Sequence, residues 1–585
     1  MIEDVLEPLS LYRDRFRKAF AQATEDKFLE LTRQAGVDVE ANREAVKAVH
    51  RAESDLEDAR SRLSCRKGLL AFCIVVAVIA LLVLAFGIRS DADGGLLLTA
   101  GVVFILAGSG IFGCAQSLSG LRAAVDEAES RLRSALQVAR DQMKALNELF
   151  TWDIPVKLIE QVVPKISFDP YFADIRLDAL RRLYGWNDAF NEGKSMLFAQ
   201  SGVILGNPFV VGEYLDQTWE PKTYSGSLDI SWTEWVSDSD GNEHPVSRSQ
   251  TLHATVDKPV PVYGKHKFLL YGNDAAPNLT FTREPSPLSG KDGYFARKER
   301  DRELKKLRKF SQKLDDESQY TLMANHDFEV LFHAVDRDHE VEFRLLFTAL
   351  AQSQMLALLN DKEVGYGDDF CFIKDHKINL IAAEHLDEGP IDTDPERFRS
   401  YDWDASHAVF TEFNNRYFKD LFFAFAPLLA VPLYQQTRSH EEIWKGIVDT
   451  EPSCFWEHEA VANYHGEEAF RHPDCITHSI LKTKLVSRED GESAVAVTAH
   501  GFRGVERRDF VSVHGGDGDW HDVPVDWIEY LPVSNTRSIR LTERTRPSEN
   551  FQTKAAESVA SILRRTIHSY LPSKTIVVNR PKKGR

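Results

Sequence analysis

The sequence contains little cysteine and methionine, and its N-terminus lacks the features of a secretory signal. Among 585 residues there are six cysteines and five methionines. Three of the cysteines lie in or beside apolar segments, and the other three are scattered over the second half of the chain. This spacing excludes a disulfide framework and fits a reducing compartment. The polar first residues exclude a signal peptide, which needs a basic start and an early apolar run.

The signatures of several common chemistries are also missing. There is no Gly-x-Ser-x-Gly turn of the kind that presents a nucleophilic serine. Gly193-Lys194-Ser195 is similar to the end of a phosphate-binding loop, but Asp188 occupies a position where that loop needs glycine. His458-Glu459 could begin a zinc-protease helix, yet the second histidine is absent because position 462 is alanine. These sites therefore predict neither nucleotide binding nor proteolysis.

The net charge is −18, so the chain as a whole has no basic surface for phosphate groups. We therefore expect no nucleic-acid partner. One segment has the opposite charge: between Arg297 and Lys309 there are eight basic and three acidic residues. The pattern predicts a charged amphipathic helix over 295–314. It either lies in solvent or contacts anionic lipid headgroups or nucleic acid.

Two long apolar runs dominate the first quarter of the chain. Gly68 to Ile88 and Gly95 to Leu118 contain no charged residue. About 20 residues rising 1.5 Å each cross the ~30 Å hydrocarbon core of a bilayer. The sequence therefore predicts transmembrane helices at 68–88 and 95–118, joined by an external turn at 89–94. A pair of buried core helices is the alternative.

The charges flanking the two runs predict their orientation. Basic residues lie on the side away from the short turn: Arg60, Arg62, Arg66, Lys67 and Arg122. Basic residues are retained on the cytoplasmic side of membranes. We therefore expect a two-span protein of the cell membrane with both termini in the cytoplasm and with the lipid bilayer as a partner.

Small residues recur at every fourth position of the second run, at Ser109, Gly113 and Ser117. Small side chains let helix backbones approach closely. We expect this row to face the first helix, and a face for oligomerisation is the alternative.

Alanine and leucine also recur at heptad positions on both flanks, over 45–63 and 121–149. This is the a/d pattern of a coiled coil. Because both helices leave the membrane on the same side, the pattern predicts an antiparallel stalk formed by arms 1–67 and 119–150. An intermolecular coiled coil, which would make a homo-oligomer, is the alternative.

The predicted fold class is α+β: an N-terminal helical coiled-coil stalk with a two-helix transmembrane hairpin, then a multi-part mixed α/β cytoplasmic region. Strand signals include Gly226 to Trp235, Gln250 to Val256 and Glu329 to Val335, with hairpin turns at 237–242 and 515–518. The predicted parts are a β-rich domain at 151–290, a mixed α/β domain at 291–450, a small antiparallel β unit at 451–545, and a C-terminal amphipathic helix with a basic tail at 546–585.

One segment has the residue types of a metal site. In His472-Pro-Asp-Cys475-Ile-Thr-His478, three potential ligands stand three residues apart. Imidazole and thiolate suit Zn²⁺, which usually takes four ligands. The segment lacks a paired-cysteine knuckle, however, and loops often carry histidines. Zinc at His472, Cys475 and His478 is therefore one interpretation, and ordinary loop residues are the other.

Several short patterns occur together in the last third of the chain: Trp456-Glu-His-Glu459, His472-Pro, Gly515-Gly-Asp-Gly518, His521-x-x-Pro-Val525 and Trp527-Ile-Glu-Tyr530. Together they resemble a family of uncharacterised bacterial proteins with a transmembrane hairpin near the N-terminus and a large cytoplasmic region. The resemblance implies a bacterial cytoplasmic membrane. It implies no activity and no functional residues.

These features predict a membrane-anchored cytoplasmic scaffold or sensor that binds a protein partner at the inner membrane face. One alternative is a membrane-tethered metal-dependent hydrolase that uses the histidines between His458 and His478. Another is an oligomeric pore or transporter subunit. The uncharged spans count against a pore, because a water pathway usually leaves ionisable residues in the membrane.

Overall fold

The computed structural model shows a protein of mixed helix and sheet. It describes residues 7–89, 94–237, 243–313, 320–437, 443, 451–489, 492–543 and 574–578. Two compact units are present. The first comprises Met1–Ala23, Thr151–Asp394 and Asn414–Arg585, and the second comprises Thr24–Phe150 and Pro395–Phe413.

Helices account for most of the second unit and are distributed through the first. A π-helical turn, Tyr12–Phe16, separates the first two. The helices are α1 Pro8–Leu11, α2 Arg17–Ala35, α3 Val39–Arg89, α4 Gly94–Leu149, α5 Ile154–Val162, α6 Asp174–Tyr184, α7 Tyr294–Lys313, α8 His326–Phe332, α9 Glu340–Leu346, α10 Ala349–Leu359, α11 Glu384–Glu388, α12 Trp403–Leu429, α13 Pro432–Gln436 and α14 Phe455–Tyr464.

The second unit is built on α3 and α4, which have 51 and 56 residues. At 1.5 Å per residue they are about 75 and 85 Å long. Both are long and apolar enough to cross a membrane, and only 11% and 17% of their apolar windows are buried inside the protein. A soluble core helix would be mostly buried, so these surfaces lack a protein covering among the described residues. Residues 90–93 of the predicted external turn lie outside the described residues.

The contact between α3 and α4 uses a different row of small residues from the expected one. Gly110 and Cys114 lie on the packed side, and a Cβ added at Gly110 would be 3.0 Å from Cys73 Sγ. Ser109 is exposed, and none of the described atoms lies within 4 Å of a Cβ added at Gly113. The prediction that the row of Ser109 and Gly113 faces the first helix is therefore wrong. Small residues occur on several faces of this run, so their spacing alone does not select the packed face.

The polar flanks of α3 and α4 also pack together, at the predicted heptad positions. Leu56, Val125 and Ala128 form a buried cluster, and Ala59, Leu63 and Leu132 pack around it. The pairing of the two flanks within one chain is confirmed, whereas coiled-coil geometry stays a prediction. An aromatic cluster follows at the end of the helix pair: Phe28, Phe150, Phe398, Trp403 and Phe410.

The first unit contains two antiparallel sheets. The larger has seven strands in the order β1-β2-β3-β4-β7-β6-β5, and the smaller has four in the order β11-β10-β9-β8. The strands are β1 Ile166–Phe168, β2 Lys194–Ile204, β3 Asn207–Ser237, β4 Glu243–Gly272, β5 Thr280–Arg283, β6 Phe370–Asp375, β7 Ile378–Ala383, β8 Ile480–Glu489, β9 Glu492–His514, β10 Trp520–Glu543 and β11 Lys574–Val578. One sheet therefore joins strands from the predicted β-rich and mixed segments.

Strand lengths differ most from the expectation. Gly226 to Trp235 and Gln250 to Val256 are not separate short strands but parts of β3 and β4, which have 31 and 30 residues. Prolines conceal this continuity in the sequence, because Pro221 pairs with Pro259 inside the ladder. Proline has no N–H to donate. It is tolerated there because, in a two-stranded ribbon, a backbone nitrogen that points outward needs no hydrogen-bond partner.

Two further expectations need correction. Glu329 to Val335 is not a strand, because α8 covers His326–Phe332 after Asn325, whose side chain accepts a hydrogen bond from Phe328 N. This N-cap starts a helix where the local composition favoured a strand. Within 546–585, where the sequence predicts only a helix and a basic tail, Lys574–Val578 pairs with β10 as a strand. The predicted C-terminal helix, 554–571, lies outside the described residues.

The packing of α3 against α4 can be tested with a disulfide. A Cβ at position 110 would lie 3.8 Å from Cys73 Cβ, the mean Cβ–Cβ separation in disulfides. In a chain whose other cysteines are replaced, Gly110→Cys should form an intramolecular disulfide with Cys73 on mild oxidation in membranes.

Mass spectrometry of the cross-linked peptide checks this result. Gly108→Cys is the matched control, because a Cβ there meets no described atom within 4 Å. Equal cross-linking of the two variants would contradict the observed helix pairing.

Candidate functional site

Two long β-hairpins extend beyond the sheets that anchor them. The first hairpin is β3 with β4, and β2 pairs with it only as far as Asp216. The second hairpin is β9 with β10, and β8 pairs with it only as far as His500. Beyond these points each hairpin is a two-stranded ribbon. We call their outer parts, residues 222–237 and 243–258 of the first hairpin and 507–527 of the second, the β-arm.

The two ribbons of the β-arm stack on each other through an apolar layer. Leu252 and Ala254 of the first hairpin are buried against Val523 and Val525 of the second. Isolated two-stranded ribbons are marginally stable in water, whereas two stacked ribbons share a core. Gly226 permits the close approach, since a Cβ there would lie 1.9 Å from Pro524 O.

The second hairpin crosses from one face of the first hairpin to the other. Near the base, odd-numbered Trp219 makes the contact, with its ring 5.0 Å from the Phe502 ring. On the same face, Tyr263 Oη donates to Thr477 Oγ1, in the loop before β8, over 3.2 Å. Farther out, even-numbered Leu252 and Ala254 are buried against the second hairpin. Successive residues of a strand point to opposite faces, so ribbon twist accounts for this change.

The two hairpins of the β-arm end at different distances, and the first extends farther than the second. The turn of the second hairpin docks on the first, where Gly516 N donates to Gln250 Oε1 over 2.8 Å. His521 Nε2 lies 2.8 Å from Asp517 Oδ2 and ties the turn to β10. The first hairpin continues for seven residues beyond Ile230, a distance of roughly 20 Å at ~3.3 Å per residue.

Large aromatic side chains are exposed on this outer region. Trp235, Phe510 and Trp520 are 66%, 65% and 70% exposed. Phe510 and Trp520 lie on the same outer face of the second hairpin, because Phe510 pairs with Pro524 and Trp520 pairs with His514. The inner face of the β-arm has a packed apolar layer, so loose folding does not explain this exposure. Exposed aromatic groups of this kind are enriched at protein interfaces.

The opposite face of the first hairpin is polar. Its outward positions on 223–233 and 247–257 carry nine serine or threonine residues, two aspartates and one histidine. The hydroxyl groups bond across the ribbon, as from Thr223 to Asp257 and from Thr251 to Asp229, both over 2.6 Å. The hydroxyl-rich face of the first hairpin ends near exposed Trp235, whereas the outer face of the second hairpin carries Phe510 and Trp520. We call this second face the aromatic face of the β-arm.

A cleft of about 470 Å³ lies between the bases of the two hairpins. This volume is within the range of small-molecule sites. His500 lines one wall, and burial and the nearby Lys482 charge lower its pKa. Tyr263 lines another wall, and burial raises its pKa. Lys482 is already committed, because its Nζ lies 2.8 Å from Glu459 Oε1 and donates to Asn191 O.

The predicted zinc ligands lie beside this cleft but have protein partners of their own. Cys475 is 5% exposed, and its thiol donates to Thr477 O over 3.4 Å. His478 Nδ1 lies 2.8 Å from Glu467 Oε1, and His472 Nδ1 accepts from Asp474 N. Within the described ranges, no three His, Cys, Asp or Glu residues are placed to hold a metal ion. The zinc site stays a prediction without geometric support.

The segment around Cys475 instead docks on β9. Ile476 N donates to Phe502 O over 2.9 Å, and a Cβ added at Gly501 would lie 2.4 Å from Cys475 Sγ. Gly504 similarly leaves room for the Ile476 side chain. The sequence offers a weak signal of this contact in the two glycines, which interrupt an otherwise ordinary strand.

The Trp456-Glu-His-Glu459 pattern has a structural role. Trp456 is fully buried, with its ring 5.6 Å from the Phe172 ring. Glu459 accepts hydrogen bonds from Met196 N and from the Asn191 side-chain amide. Burial raises its pKa, and the neighbouring Lys482 opposes the shift. These contacts join α14 to β2 and β8, so the pattern has a role in packing.

The stacking of the β-arm depends on the missing side chain at position 226. Gly226→Ala should separate the ribbons, because the added methyl group overlaps the Pro524 carbonyl. Overpacking of this kind costs about 1–3 kcal/mol. The amides of 222–256 should then exchange hydrogen roughly 5- to 100-fold faster, since 1.4 kcal/mol is a factor of ten.

Hydrogen exchange with mass spectrometry of the full chain in detergent measures this effect. Ser227→Ala is the matched control, because its side chain is on the exposed face. If Gly226→Ala leaves the exchange of 222–256 unchanged, close packing at Gly226 does not hold the two ribbons together.

Known proteins offer no guide to the role of the β-arm or the cleft. No family model matches the chain, and no curated protein or solved structure is significantly similar to it. The resemblance to a bacterial membrane family therefore stays a prediction. The β-arm, with its exposed aromatic groups, is the candidate functional site on geometry alone.

Proposed function

We propose that the chain is a membrane-anchored scaffold that binds a partner protein through the aromatic face of its β-arm. In this proposal α3 and α4 cross the cytoplasmic membrane of a bacterium, and the first unit lies in the cytoplasm. Both helices have the length and the apolar surface that spanning requires. The flanking basic residues support the inward orientation of the termini.

One observation carries the proposal. Phe510 and Trp520, on the aromatic face of the β-arm, are each about two-thirds exposed. Burial of a tryptophan or phenylalanine removes 150–250 Å² from water, and such residues dominate binding energy at interfaces. The residue pairs that contain Phe510 and Trp520 are four positions apart on one face, roughly 13 Å at ~3.3 Å per residue. A single partner surface could therefore cover both rings.

The polar composition around these aromatic groups supports a reversible contact. Arg508 and Asp526 form an exposed ion pair of 2.6 Å beside Phe510, and Ser512 bonds to Asp522 between Phe510 and Trp520. A hydrophobic centre with a polar rim is typical of interfaces between proteins that also exist apart. The partner is therefore expected to have an apolar groove or patch of similar width.

Site-specific photocrosslinking in intact membranes tests this role. A photoreactive phenylalanine analogue at position 510 should yield one discrete adduct with a second protein. The adduct should disappear when Trp520→Ala is added, because both rings contribute to the same contact. The same analogue at Ser227, on the hydroxyl-rich face of the β-arm, is the matched control and should yield none.

Equal adducts at positions 510 and 227 would indicate random collisions and would contradict the proposal. So would an adduct at position 510 that survives Trp520→Ala. An adduct with the mass of two copies of the chain would show self-association and would also overturn the assignment of a separate partner.

A further inference from the structure

Helix α7 has one face in the protein and one face in solvent. Ala296 and Leu307 are buried, at 7% and 3% exposure. Arg300, on the same side, donates to Lys291 O over 2.9 Å and to Leu288 O. The contact with the rest of the first unit thus follows positions 296, 300, 303 and 307, a spacing of four, three and four residues.

The opposite face of α7 is basic. At 100° per residue, positions 294, 298, 302, 305 and 309 share one stripe. Lys298, Arg302, Lys305 and Lys309 occupy four of these positions, and all are exposed. In the part of the chain that the structure describes, none of these four cations takes part in an ion pair or a side-chain hydrogen bond. We call this stripe the basic stripe.

Acidic residues do little to neutralise the basic stripe. Glu303 faces the protein side, where its carboxylate lies 2.7 Å from Lys306 and 3.6 Å from His333. Glu299 lines a groove of about 720 Å³ between α7, α8 and the loop after β5, and Arg302 of the basic stripe lies at the rim of the same groove. Asp301 lies at the edge of the stripe. A chain with net charge −18 therefore carries a local surface of the opposite sign.

Two aromatic residues stand at the start of the basic stripe. Tyr294 and Phe295 are 74% and 79% exposed, and their rings are 5.7 Å apart. Aromatic rings beside clustered basic residues are typical of helices that lie on membrane surfaces, where the rings enter the headgroup region. A nucleic-acid site would also use cations, but it would not need both rings at one end of the helix.

We propose that the basic stripe of α7 binds anionic lipid headgroups, with Tyr294 and Phe295 inserted at the membrane interface. This contact is separate from the aromatic face of the β-arm and does not depend on it. If α3 and α4 span a bilayer, they tether the first unit to the membrane. Lipid headgroups are then present at a high effective concentration around the basic stripe. The attraction is electrostatic, so it weakens at high salt.

Lysine acetylation of the full chain in nanodiscs tests the proposal. The probe is a water-soluble acetylating reagent, and the lipids are pure phosphatidylcholine or a mixture with phosphatidylglycerol. Lys298, Lys305 and Lys309 should react about fivefold more slowly, or slower still, in the anionic nanodiscs. Exposed Lys265 and Lys484 in the same molecules are internal controls and should react equally in both lipids.

Two variants separate lipid contact from a change in folding. Arg302→Gln with Tyr294→Ser should restore fast acetylation of Lys298 and Lys309 in anionic nanodiscs, and about 0.5 M salt should do the same for the unaltered chain. Lys265→Gln with Arg503→Gln removes two positive charges elsewhere, against one in the first variant, and should leave the protection intact.

Equal acetylation rates in the two lipids would overturn the proposal. Protection that persists at high salt would also overturn it, because the contact would then not be electrostatic. Protection that appears only when an oligonucleotide is added would assign the basic stripe to nucleic acid instead of lipid.

Discussion

The exposed apolar surface of α3 and α4 is the constraint on which the second unit and the proposed role of the protein depend. Hydrocarbon does not hydrogen-bond to peptide groups, so a chain that crosses it must satisfy its backbone internally, as a helix does. Phe72, Leu98 and Phe112 are 65–72% exposed on these helices. Contact of such a large apolar surface with water is unfavourable, and monomeric soluble proteins rarely expose one. The proposed lipid covering would account for both the composition and the lack of burial.

The first unit uses a different principle, in which long ribbons are stabilised by stacking. Beyond the sheets, β3 with β4 and β9 with β10 have no further strand neighbours among the described residues. Each ribbon covers one face of the other through a thin apolar layer. Gly226 sets the spacing, and the turn at Gly516 fixes the register through Gln250. This construction leaves two outer faces free, one rich in hydroxyl groups and one with exposed aromatic rings.

Sequence reasoning succeeds where composition alone decides the structure. The long apolar helices, the pairing of their flanks and the charged helix at 295–314 all follow from strong, local patterns. Patterns in the sequence do not predict which face of a helix or strand is covered by other parts of the protein. Ser109 and Gly110 are both small, and only the packed structure distinguishes them. Pro221 and Pro259 interrupt the strand signal, although a two-stranded ribbon accommodates them.

The candidate site could not be found in the sequence for the same reason. Trp235, Phe510 and Trp520 occupy ordinary strand positions, and alternation alone would allow them to face a core. Conversely, the Trp456 to Glu459 pattern is conspicuous in the sequence, and the structure gives it a role in packing. His472, Cys475 and His478 lie beside the cleft between the hairpin bases. Each of the three is hydrogen-bonded to a nearby protein group: Asp474 N, Thr477 O and the Glu467 carboxylate, respectively.

Extraction of the full-length chain from membranes tests the anchoring most directly. Alkaline carbonate opens vesicles and releases peripheral proteins, whereas helices embedded in hydrocarbon remain with the lipid. If α3 and α4 cross the bilayer, the chain stays in the membrane pellet after the wash, and charged substitutions such as Val78→Asp with Leu106→Asp release it. Recovery of the unaltered chain in the supernatant would contradict the anchor, and with it the proposed role at the membrane.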